Sequence, residues 1–78
     1  NRRKHGVSFD EAATVFLDPH AISGPDPDHS VEEERYITFG CSKLGRLLAI
    51  CHTYRPGTMR IISVRRLTRS ERKLYEEG

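Results

Sequence analysis

The sequence predicts an α+β domain: a three-stranded antiparallel β-meander with helices packed on one face. Three observations predict it. Apolar and polar residues alternate along Arg35–Cys41, Leu47–Tyr54 and Met59–Arg66, which is the period of a strand. The links between these runs, Ser42-Lys43-Leu44-Gly45-Arg46 and Arg55-Pro56-Gly57-Thr58, are short and contain glycine, as hairpin connections do. Two capping-box sequences, Ser8-Phe9-Asp10-Glu11 and Thr68-Arg69-Ser70-Glu71, each precede a stretch of helical composition.

From the N-terminus, Lys4-His5-Gly6 reads as the end of a helix that began upstream, with Gly6 as its left-handed cap. The Ser8 hydroxyl then accepts from the third amide of the next helix while Glu11 reaches back to Ser8. Phe9, Ala13 and Phe16 form the buried stripe of that helix, and Asp18-Pro19 ends it, because a residue before proline resists helical geometry. His20 to Gly24 reads as a short strand, and Pro25-Asp26-Pro27-Asp28-His29-Ser30 as a loop of turn-setting residues. Thr68 to Tyr75 makes the closing helix.

A three-residue loop with glycine in the left-handed position places Ser42 opposite Arg46. Cys41 then faces Leu47, Cys51 faces Ile37, His52 faces Tyr36, and Arg35, Thr53 and Arg60 come level. One face presents Ile37, Phe39, Cys41, Leu47, Ala49, Cys51, Ile62 and Val64, and is the face expected beneath the helices. The other presents Tyr36, Thr38, Leu48, Ile50, His52, Tyr54, Met59, Ile61, Ser63 and Arg65, a mixture typical of a contact surface.

The chain of 78 residues makes one domain, 1–78, with a small core; a domain of this size buries only about 60% of its unfolded surface. In the predicted register the two cysteines stand too far apart for a disulfide, beyond ~7 Å, and read as reduced residues of a cytoplasmic protein. No apolar run approaches membrane-spanning length and no signal peptide is visible, so no membrane partner is expected. The formal net charge of +2 conceals segregation: eight acids and no Lys or Arg from Ser8 to Glu34, then nine basic residues and one acid from Lys43 to Lys73. Such a distribution suits contact with nucleic acid. The histidines and cysteines fit no compact metal-ligand spacing, the glycines no phosphate-cradling loop and the serines no nucleophile elbow, so no cofactor is expected.

His52 is the candidate general acid or base, since imidazole titrates near neutrality. Arg65, predicted on the same face, would stabilise phosphate charge, with Arg60 and Arg35 assisting from the rim. Tyr54 beside His52, and Lys4 and Arg66 in the two basic stretches, are candidate substrate-binding residues. The competing reading is structural. The arginines pair with Glu32, Glu33 or Glu34 as surface ion pairs worth ~0–1 kcal/mol, and His52 is a hydrogen-bonded sheet residue.

The segments Lys4-His5-Gly6-Val7-Ser8-Phe9-Asp10-Glu11-Ala12, Asp18-Pro19, Pro25-Asp26-Pro27-Asp28-His29-Ser30, Glu34-Arg35-Tyr36 and Arg60-Ile61-Ile62-Ser63-Val64-Arg65, with Thr68 to Gly78 closing, together resemble the BrnT family of bacterial toxins. The resemblance implies a ribonuclease with a RelE-like fold, neutralised by a BrnA-type antitoxin, whose complex binds operator DNA. It singles out His5, Arg35, Arg60 and Arg65 as matched polar positions. Family members begin with a strand and half a helix upstream of Asn1, so the chain is expected to be N-terminally incomplete. The expected chemistry is metal-independent attack by the RNA's own 2′-hydroxyl, with the protein supplying position and positive charge. Two other readings stay open: a non-catalytic module binding nucleic acid or an acidic protein, and a degenerate toxin kept as a partner-binding or DNA-regulating subunit.

Overall fold

A computed structural model describes the backbone of Arg3 and Lys4, and residues 6–26 and 34–78. Four antiparallel strands form the sheet in the order β3 (Ile22–Pro25), β4 (Arg35–Cys41), β5 (Leu47–Arg55), β6 (Thr58–Arg66). The meander is therefore extended by one strand, since the short run after Pro19 joins it, pairing Ile22 with Phe39 and Pro25 with Tyr36. The β4–β5 register is the predicted one, from Arg35 opposite Thr53 to Cys41 opposite Leu47. Gly45 (φ 83°) sets it: only glycine takes this conformation without strain, and the loop closes with the Ser42 amide donating to the Arg46 carbonyl at 2.8 Å.

Ahead of the sheet, β1 (Arg3–Lys4) pairs with β2 (Val7–Ser8) in a small hairpin. Gly6 does have positive φ, 73°, but it serves that turn and caps no helix. The next helix is α1 (Phe9–Ala13), which tightens into a 3-10 helix over Thr14–Leu17. Ser8 caps it, accepting from the Glu11 amide at 3.1 Å, yet Glu11 does not return the bond. Its carboxylate, 3% exposed, instead receives Arg46 Nε at 2.9 Å, a second guanidinium nitrogen, and Ser42 Oγ at 2.6 Å. The stripe is also displaced: Ala12 and Val15 are buried while Ala13 is exposed. The closing helix, α2 (Arg69–Glu77), has the full predicted capping box between Thr68 and Glu71.

The core lies on the face that the sequence reading left open. Val7, Ala12, Val15, Leu48, Ile50 and Val64 are buried together, with Phe9, Phe16 and Ile61 against them. Each fully buried Val, Leu or Ile here contributes about 1.5–3 kcal/mol. Polarity misled the prediction, because the polar groups of this face satisfy one another. Ser23 Oγ lies 2.6 Å from Thr38 Oγ1, which lies 2.7 Å from His52 Nε2, so Thr38 and His52 can be buried. Gly40 lets the 3-10 helix approach this face: a Cβ there would stand 2.7 Å from Val15 Cγ1.

The face with Ile37, Phe39, Cys41 and Leu47 is only partly buried. Here α2 approaches it. Glu71 meets Arg65, and the C-terminal glycine lies near Ile22, the cross-strand partner of Phe39. The helices thus lie on opposite sides of the sheet rather than both on one face, as expected from the sequence. Tyr75 pins α2 to the end of the 3-10 helix by donating to Asp18 Oδ2 at 2.6 Å; the same oxygen accepts from the Cys41 amide at 2.8 Å.

Candidate active site

The β5–β6 pairing decides where the candidate residues point. From the turn inward, Arg55 faces Thr58, Tyr54 faces Met59, Thr53 faces Arg60 and His52 faces Ile61. The next pair is Cys51 with Ser63, leaving Ile62 as the extra residue of a bulge. Beyond it, Ile50 faces Val64, Ala49 faces Arg65 and Leu48 faces Arg66. Cross-strand partners share a face. The bulge therefore moves Ser63 and Arg65 to the Cys51 and Ala49 side, and sends Val64 into the core.

The consequence corrects the predicted site. His52 and Arg65 point to opposite sides of the sheet. Arg65 now shares a face with Arg35 and Arg60, which stand level across Thr53. Arg35 and Arg65 line one groove of about 320 Å³, together with Asp26, Ile37, Cys51, Ile62 and Ser63. Arg60 is exposed on the same face, beside it.

On the other side His52 is fully buried. Its ring lies edge-on to Phe16 (centroids 5.0 Å) and to Tyr54 (5.4 Å), and near-parallel to Tyr36 (6.0 Å). Nε2 is held by Thr38, and Nδ1 has no hydrogen-bond partner among the described residues. Burial pushes its pKa below the ordinary value, so the neutral ring is favoured. Tyr54 is exposed on this side and Arg66 projects from it, near enough to Glu11 to help hold that carboxylate ionised. Neither reaches the groove. His5 and the Lys4 side chain lie outside the described residues.

Arg65 is held firmly. Its two terminal nitrogens donate to the two Glu71 oxygens at 2.7 and 2.8 Å. The Glu71 contact, reinforced by the field of Asp26, raises the Arg65 pKa, and the Glu71 carboxyl is pulled down to about 2, chiefly by Arg65. Asp26 is 8% exposed and its amide donates to the Arg35 carbonyl at 2.9 Å. Cys51 Sγ stands 3.6 Å from Asp26 Oδ2, and burial together with this carboxylate pushes the thiol's pKa up. A groove with two guanidinium groups, a hydroxyl and one buried carboxylate can bind a phosphodiester and accept a proton.

Sequence reasoning missed Asp26, Cys51 and Ser63 as members of this groove. The signal for Ser63 was the Ile61-Ile62 doublet, where strict alternation breaks and a bulge is permitted. For Asp26 there was none, because Pro25-Asp26-Pro27-Asp28 reads as turn chemistry. Among the described residues, no helix is long and apolar enough to cross a membrane.

A comparison with curated proteins returns no match. The family model described as the ribonuclease toxin BrnT of type II toxin–antitoxin systems matches residues 1–71 of this chain. With that match covering most of its length, and with an antiparallel α+β fold carrying a cationic groove, the chain belongs to the BrnT family of ribonuclease toxins.

Proposed function

We propose that this chain is an endoribonuclease toxin that cleaves RNA in the groove between Arg35 and Arg65. The observation that carries the reading is the bulge opposite Cys51 and His52, which gathers Arg35, Arg60 and Arg65 on one rigid face. Guanidinium groups fixed on a sheet suit phosphate oxygens because their planar donors match them pairwise. Their charge acts most strongly where negative charge develops in the transition state. The nucleophile is the substrate's own 2′-hydroxyl, which RNA has and DNA lacks, so the chemistry runs without a metal ion. His52 belongs to the core in this reading and acts on stability.

A BrnA-type antitoxin neutralises the toxin by covering the groove or its arginine rim, and the complex then binds operator DNA. Both act in the cytoplasm, and the sheet follows the RelE type. Purified protein should cut RNA in EDTA, leaving 2′,3′-cyclic phosphate ends, and should not cut an oligonucleotide with a single 2′-deoxy sugar at the scissile position. Cleavage that stops in EDTA, or that ignores the 2′-deoxy substitution, contradicts the mechanism.

The Arg65–Glu71 pair favours a second reading, because a guanidinium satisfied by a carboxylate also serves structure alone. The chain is then a binding module, and salt-sensitive RNA binding without cleavage would identify it.

A further inference from the structure

Cleavage by a 2′-hydroxyl needs an acceptor for its proton, and the groove offers few. Arg35 and Arg65 are cations. The Cys51 thiol is held protonated by burial and by its neighbour. Ser63 carries a neutral hydroxyl. The buried His52 faces the other side of the sheet, and Glu71 is engaged by both terminal nitrogens of Arg65. Among the described residues lining the groove, Asp26 alone carries a carboxylate.

Its placement is structural rather than incidental. Asp26 follows directly on β3, and its amide continues the ladder by donating to the Arg35 carbonyl. The carboxyl group is thereby brought into the groove from the sheet edge, at 8% exposure. From β4 it is faced by Arg35, from β5 by Cys51 and from β6 by Ser63 and Arg65, with Glu71 of α2 behind Arg65. Its charge is felt by Arg65 and Cys51 alike, which places it electrostatically within the groove.

We propose that Asp26 is the general base of the cleavage, a role that rests on the groove being the RNA site. The 2′-oxygen forms a bond to phosphorus while its proton passes to the Asp26 carboxylate. The bond from phosphorus to O5′ breaks, and O5′ leaves with the electron pair and takes a proton from water. Asp26 then returns its proton to solvent. The products are a 2′,3′-cyclic phosphate and a 5′-hydroxyl.

The test is single-turnover cleavage of an RNA oligonucleotide by the full chain and its Asp26→Asn, Arg35→Ala and Arg65→Ala variants, with circular dichroism confirming the fold. Loss of a general base lowers the rate by about 10²–10⁴-fold at neutral pH. The Asp26→Asn deficit should shrink by about tenfold for each pH unit raised, because hydroxide replaces the missing base while the wild-type rate stays flat. Should Asp26→Asn not fold, Asp26→Ser gives the same readout with a smaller side chain. Wild-type rates in a folded Asp26→Asn, or a deficit constant with pH and matched by weaker RNA binding, overturn the assignment while leaving the groove in place. Full activity in both arginine variants overturns the groove and Asp26 with it.

Discussion

Arg65 donates two parallel hydrogen bonds to Glu71, and Glu71 also accepts from the Thr68 amide at 3.0 Å. One carboxylate thus closes the cap of α2 and fixes the guanidinium at the groove. This relationship ties the last helix to the arginine face, and it makes Arg65 both a proposed substrate contact and an anchor for α2.

Glu71→Gln should lower stability by about 1–2 kcal/mol, combining a weakened cap with a partly exposed ion pair. The pH dependence follows from the depressed Glu71 pKa, about 2 in the folded chain. Stability from Glu71 is complete above the ordinary carboxyl range, near pH 4.5, and is lost as pH falls towards about 2. Urea midpoints measured across that window should fall less steeply for Glu71→Gln than for the wild type. Equal slopes would mean that the pair does not act in the folded state.

Tyr75 gives the opposite limb. Its pKa is raised to about 12, first by the bond to Asp18. The bond's stabilisation is complete below the ordinary tyrosine value of 10.0 and disappears as pH rises towards about 12. Tyr75→Phe should remove this alkaline step, read by thermal melts at increasing pH.

Removing the Arg46 side chain strands the buried Glu11 carboxylate. A buried carboxylate left without its cation is strongly destabilising, and folded domains are only marginally stable. Arg46→Ala should therefore be clearly less stable than the wild type. Glu11→Gln, which removes the charge instead, should be markedly less damaged, and chemical denaturation of the two variants checks the ordering.

Gly40→Ala should destabilise by about 1–3 kcal/mol, because the added methyl meets Val15 at 2.7 Å and Ala21 at 3.1 Å. A denaturation midpoint unchanged from wild type would show that the 3-10 helix yields without cost.

The sequence made some of this legible and hid the rest for definite reasons. The β4–β5 register followed from one loop, since Gly45 leaves a three-residue connection little choice. The Thr68 cap was equally readable because both of its bonds are local. Glu11 occupies the same position in an apparently identical box, but its partners Arg46 and Ser42 are more than thirty residues away, and local pattern cannot foresee them. Face assignment failed at two points. Thr38 and His52 looked too polar for a core until Ser23 and Thr38 were seen to complete the chain of hydrogen bonds. The bulge at Ile62 then reversed every side chain after it, so Ser63 and Arg65 changed sides while Arg60 did not. The same reversal separates His52 from Arg65, the one arginine predicted to share its face.

The most direct measurement compares RNA cleavage by Arg65→Ala and His52→Phe, both verified as folded, under single-turnover conditions. Placing the reaction in the arginine groove predicts that Arg65→Ala loses at least about 10²-fold in rate, while His52→Phe cuts at close to the wild-type rate despite altered stability. Cleavage retained by Arg65→Ala and lost by His52→Phe would place the chemistry on the opposite side of the sheet and contradict the account.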